Sequence, residues 1–97
     1  MESAKIISNL KHDGAGYRLK GIIECFYGQV RDPEVFDALR AMRDDDVVLA
    51  GYKLSTYAAA ILDVFDAETY CGTEEEVTEL ISRMKEYLQE KAQKTEG

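Results

Sequence analysis

The side chains in this sequence with the makings of reactive chemistry are one histidine, His12, two cysteines, Cys25 and Cys71, and an acidic set. That set comprises Asp44-Asp45-Asp46, Asp63, Asp66 and Glu68. A zinc site built on the lone histidine would have to borrow both thiols, which fall at no ligand spacing. The aspartates do not substitute for it: adjacent residues on a turn point in different directions, and the order of Asp, Gly and terminal Glu that wraps calcium is missing. Nucleophilic attack by a thiol needs a neighbouring base, yet Cys25 lies in an apolar helical pattern and nothing in the spacing sets His12 beside either sulfur. Gly14, Gly16, Gly21 and Gly28 are scattered through helical pattern rather than following a strand, so they are turn and packing glycines, not a phosphate cradle. The expectation is a chain with no catalytic residues, no metal and no cofactor.

Binding is the alternative, and the pairs Tyr17-Arg18 and Tyr52-Lys53 are its candidates: tyrosine offers rigid amphipathic area and the cation directional hydrogen bonds. The competing reading is that these tyrosine rings pack on the turn that precedes them. Charge narrows the partner. Nineteen acidic against twelve basic side chains leave a net charge of −7, which disfavours nucleic acid and anionic membrane surfaces and favours a basic protein. It also serves plain solubility. The polar start carries no charged leader followed by a long apolar stretch, and the apolar run Tyr57 to Leu62 is far short of the ~20 residues of a membrane span. A cytoplasmic protein with both thiols reduced is expected.

Ninety-seven residues make one domain, 1–97, with about 94–97 as a disordered tail. Ser3 is placed as the cap of a short first helix bearing Ala4, Ile6, Ile7 and Leu10, and Asp13-Gly14 breaks it, with glycine suited to positive φ. A second helix, about Gly16 to Gln29, carries the stripe Leu19, Ile22, Ile23, Phe26 and Val30, with Arg18, Lys20 and Glu24 wet and Gly21 marking close helix approach. Asp32-Pro33-Glu34 restarts the chain as cap, first helical position and first-turn acid. The third helix then buries Val35, Phe36, Leu39 and Met42 until the aspartate run stops it. Val47-Val48-Leu49 reads as a buried loop. A fourth helix, about Leu54 to Asp66, is apolar nearly all round and so covered on several sides. Thr73 with Glu76 forms a capping box that opens a fifth helix, whose stripe is Val77, Leu80, Ile81, Met84 and Leu88.

One motif organises these elements. Ala15-Gly16-Tyr17-Arg18-Leu19 recurs as Ala50-Gly51-Tyr52-Lys53-Leu54, a spacing within the roughly 20–50 residues of helical-repeat units. Each copy reads as helix, turn, helix. The run Asp32-Pro33-Glu34-Val35-Phe36-Asp37-Ala38-Leu39, then Asp44-Asp45-Asp46, Ala50-Gly51-Tyr52 and the alanine-rich helix, resembles a HEAT or HEAT-like repeat over Pro33 to Phe65, with a weaker copy over Lys5 to Val30. The resemblance implies an all-α superhelix of two antiparallel helix pairs and a C-terminal capping helix, a face that binds protein, and no catalytic residues to carry over. The function expected is a non-catalytic protein-interaction module, alternatively a protein that neutralises a basic partner in the manner of immunity proteins, with a small enzyme as a further alternative. Two pairs fall short of the three that such arrays need. Ile6, Ile7, Ile22 and Phe26 are therefore the candidate face of a twofold homodimer, with a monomer or an end made for another protein as the alternatives.

Overall fold

In the computed structural model, residues 2–96 are described; Met1 and Gly97 lie outside. Among the described residues the helices are α1 (Glu2–Leu10), α2 (Ala15–Tyr27), α3 (Pro33–Arg40), α4 (Leu54–Val64) and α5 (Glu75–Glu96). Two short strands, β1 (Val48–Leu49) and β2 (Tyr52–Lys53), pair antiparallel between α3 and α4. The chain is mostly helical, and its core is one cluster. Val35, Leu39, Leu54 and Ile61 lie at its centre with at most 1% of their surface exposed.

α1 and α2 form an antiparallel pair. Leu10 of α1 packs where a Cβ on Gly21 of α2 would sit, at 3.0 Å, and the Asn9 amide donates to Glu24 Oε1 at 3.0 Å. Gly21 is thus the close approach its spacing suggests, since any side chain there would displace Leu10. Two details differ from expectation. α1 already includes Ser3, which is therefore not its cap, and Gly14 precedes α2 with φ −80 rather than a positive value.

α2 ends at Tyr27 with Gly28 as its cap, and the left-handed residue that closes it comes one position after that glycine. Gln29 takes φ 51, Val30 N–H reaches back to the Cys25 carbonyl at 3.0 Å and Gln29 N–H to the Phe26 carbonyl at 3.1 Å, the double closure that satisfies the last carbonyls of a helix. α4 ends in the same way at Asp66, φ 59, with Ala67 N–H on the Leu62 carbonyl. α3 opens as the sequence requires: Asp32 accepts from Glu34 N–H at 3.0 Å with Pro33 at the first position, a cap worth about 1 kcal/mol.

The two copies of the five-residue motif fold differently. The first lies wholly within α2, whereas in the second Ala50 (φ 54) and Gly51 (φ 94) are the centre of a tight hairpin that pairs Leu49 with Tyr52 and Val48 with Lys53. Only Leu54 is helical there. β-branched Val47 and Val48 favour extended backbone, and two central residues at positive φ are what a two-residue hairpin turn demands. Val47-Val48-Leu49 is accordingly no buried loop: Val48 is exposed and Leu49 only half-buried.

α4 touches α2, α3, β2 and, most extensively, α5, so its apolar circumference is covered as its composition demands. The direction of α5 is a departure. Tyr52, just before α4, bonds Glu79, while Asp63 near the end of α4 faces Lys85 at 3.8 Å. α5 therefore runs parallel to α4, and residues 65–74 return along α4 to make this possible. α5 begins at Glu75, so Thr73 is not its cap, and it is helical to Glu96, past the expected end near Gln93. The expected tail falls on side chains from 93 onward and on Gly97, which lie outside the description.

Candidate functional site

A face of the molecule between α2 and α5 is left open. Its floor is Ile22, Phe26, Leu80 and Met84, its rims are Ile23 and Tyr27 on α2 and Tyr87 on α5, and Tyr57 and Arg83 complete a groove of about 220 Å³. Ile23, Tyr27 and Tyr87 are 44%, 52% and 37% exposed, against 2% for Ile22 beneath them. The same two α2 residues also wall a cleft of about 510 Å³ on their other side, with Lys5, Ile6, Glu24 and Gly28. Ile23 and Tyr27 thus form an apolar ridge between two depressions.

Aromatic contacts hold the groove in shape. Tyr27 meets Tyr87 edge to face with centroids 5.3 Å apart and planes at 85°, and Phe26 lies 5.3 Å from Tyr27, 5.6 Å from Tyr87 and 6.2 Å from Phe65. Edge-to-face rings align positive edge with negative face and contribute beyond simple burial. Arg31 lies over the ring of Phe65 with its guanidinium carbon 4.9 Å from the ring centroid. Arg83 is held by Glu79 at 3.1 Å. Neither the Tyr27 nor the Tyr87 hydroxyl has a hydrogen-bond partner among the described residues, so both remain able to bond to something else.

The residues singled out from sequence fare unevenly. Tyr17 is exposed, but its ring lies on His12 with centroids 4.1 Å apart, the packing on a preceding turn that competed with recognition. Arg18 is not wet. Its Nε donates to Asp45 Oδ2 at 2.7 Å and one terminal nitrogen to the carbonyls of His12 and Asp13, so it ties the α1–α2 connector to the turn after α3. Tyr52 donates to Glu79 Oε1 at 3.1 Å and meets Tyr57 edge-on; burial, then that bond to Glu79, raises its phenol pKa. Lys53 belongs to β2 and immediately precedes α4. Tyr17, Arg18 and Tyr52 are thus each engaged within the chain, with different partners.

The candidate dimer residues are inside the protomer. Ile6, Ile22 and Phe26 are buried by the chain's own helices and Ile7 is half-buried, because α3 packs on α1 and α4 on α2. The bare flank that called for a second copy does not exist there.

Among the described residues neither thiol has a contact with His12. His12 Nδ1 accepts from Gly14 N–H at 2.8 Å. Cys25 is fully buried with its Sγ 3.5 Å from the Val30 carbonyl, and burial pushes its thiol up to about 11. Cys71 is exposed. Among the described residues no three His, Cys, Asp or Glu side chains gather as a metal site, and no helix is long and apolar enough to cross a membrane.

Sequence reading missed the groove because it counted Ile23 in the buried stripe and gave Tyr27 and Tyr87 no role. The available signal was local: Ile23 and Tyr27 stand one helical turn apart at the edge of that stripe. That Tyr87 would join them depends on α5 lying across the open side of α2. Compared with protein-family models, curated proteins and solved structures, the chain matches none.

Proposed function

We propose that this chain is a non-catalytic protein-interaction module whose binding surface is the aromatic groove between α2 and α5. The observation that carries the reading is the joint exposure of Ile23, Tyr27 and Tyr87 around an apolar floor. Apolar side chains held open over a concave surface, with tyrosine hydroxyls left to bond, are the composition of interface centres rather than of ordinary surface. The net charge of −7 favours a basic partner, by steering rather than by affinity, and accommodates the alternative in which the chain neutralises such a partner. In the finer architecture, the antiparallel α1/α2 pair supports one HEAT-like unit; the hairpin and the parallel α5 are where this chain departs from a superhelix of antiparallel pairs.

The experiment is affinity capture from the source cell with three baits: wild type, Ile23→Lys with Tyr87→Ala, and Lys20→Ala. A partner retained by wild type and Lys20→Ala and lost from the double variant is expected. Capture that is indifferent to the double variant would remove the groove from the function.

A further inference from the structure

On a different face, α3, α4 and the returning connector enclose a second cleft of about 450 Å³, a size typical of small-molecule sites. Leu39, Ala58, Ala59, Leu62 and Val77 make its floor, and the walls are polar. Two of the wall charges satisfy one another. Arg40 donates to Glu68 at 2.9 Å, to Asp37 at 2.9 Å and to the Ala67 carbonyl.

The remaining wall charges are Arg43, Asp44 and Glu74. Among the described residues none of their charged groups has an ion-pair partner. Opposite charges that line one cleft without pairing to each other are both open to a molecule bearing both complements. Hydroxyls are available to orient it. Tyr70 accepts from Glu74 N–H at 3.1 Å and keeps its own proton to donate, and Ser55 lines the same cleft.

We propose that this cleft binds a small zwitterion, an α-amino acid with an apolar side chain. Arg43 takes the carboxylate, for which the planar guanidinium fork is matched, and Glu74, with Asp44 beside Arg43, takes the ammonium group. The apolar side chain of the ligand lies on the floor that Ala58 and Ala59 form with Leu39, Leu62 and Val77. This binding is independent of the groove on α2 and α5.

The test is a two-dimensional amide NMR titration of labelled protein with leucine. Two controls are its deaminated carboxylate and its decarboxylated amine, and the variants are Arg43→Gln and Glu74→Gln. Both side chains are exposed and unpaired, so the variants should keep the fold, which the dispersion of the same spectra verifies. Saturable shifts at Ala58, Ala59 and Val77 are expected, weakened roughly tenfold or more by each variant and in each control, as befits loss of one charge-assisted contact. Absence of saturable shifts with leucine, or shifts that survive both variants, overturns the proposal. Binding of the carboxylate control as tight as leucine also overturns it, by showing an anion site instead.

Discussion

Cys25 illustrates how burial decides chemistry for a single side chain. A thiol with no exposed surface is deprived of the water that would stabilise its thiolate, and its pKa rises from the ordinary 9.0 to about 11. Between those values the unfolded chain releases the proton while the folded one retains it, so rising pH favours unfolding. The contribution is intact below about pH 9 and is lost as pH approaches 11, on the order of 3 kcal/mol in all. Tyr57, raised first by burial, pulls in the same direction, so the informative quantity is a difference. Denaturant unfolding from pH 8 to 10.5 should show a shallower decline for Cys25→Ala than for wild type. Equal slopes would mean the thiol titrates normally. In the native protein at neutral pH, a thiol reagent should label Cys71 at once and Cys25 only on unfolding.

At the scale of elements, helix endings carry most of the avoidable strain. α2 closes on Gln29 and α4 on Asp66, both in the left-handed region where a side chain crowds the following carbonyl. Glycine lies one residue early at α2, since Gly28 is in the right-handed region. Gln29→Gly should therefore raise stability by roughly 0.5–1 kcal/mol, the relief at positive φ outweighing the entropy of the added glycine. Ala50→Asn, which gives the hairpin the residue its first central position favours, should act in the same direction. Thermal melts of both variants check this, and a lowered midpoint for each would contradict the backbone conformations assigned to these ends.

For the whole molecule, the question is whether it needs a second copy. The apolar residues of α1 and α2 that an isolated helix pair would expose are covered by α3 and α4, and α5 lies along α4 for much of its length. The core is therefore closed within one chain, and sedimentation across a concentration series should return a monomeric mass. A dimer that dissociates on Ile23→Lys would place a second copy in the α2–α5 groove; one that dissociates only on Ile7→Lys would restore the α1 face as the interface.

What the sequence by itself determined is local. Helical periodicity located all five helices, Asp32-Pro33-Glu34 set the start of α3, and Gly21 marked the close approach to α1, because each depends on spacing along one element. The all-round apolarity of Leu54 to Phe65 likewise required a helix covered on several sides, which α4 is. Tertiary structure decided the rest. Five-residue stretches that differ only in Arg18 against Lys53 became a helix in one place and a hairpin in the other, because Val47-Val48 supplied an extended strand that the first copy lacks. Arg18 was drawn from solvent by Asp45, a residue distant in sequence. The groove arose only because α5 runs parallel to α4 across the open side of α2, bringing Tyr87 to Tyr27, and the direction of a helix after a long connector is set by packing between surfaces, not by the residues of either helix alone.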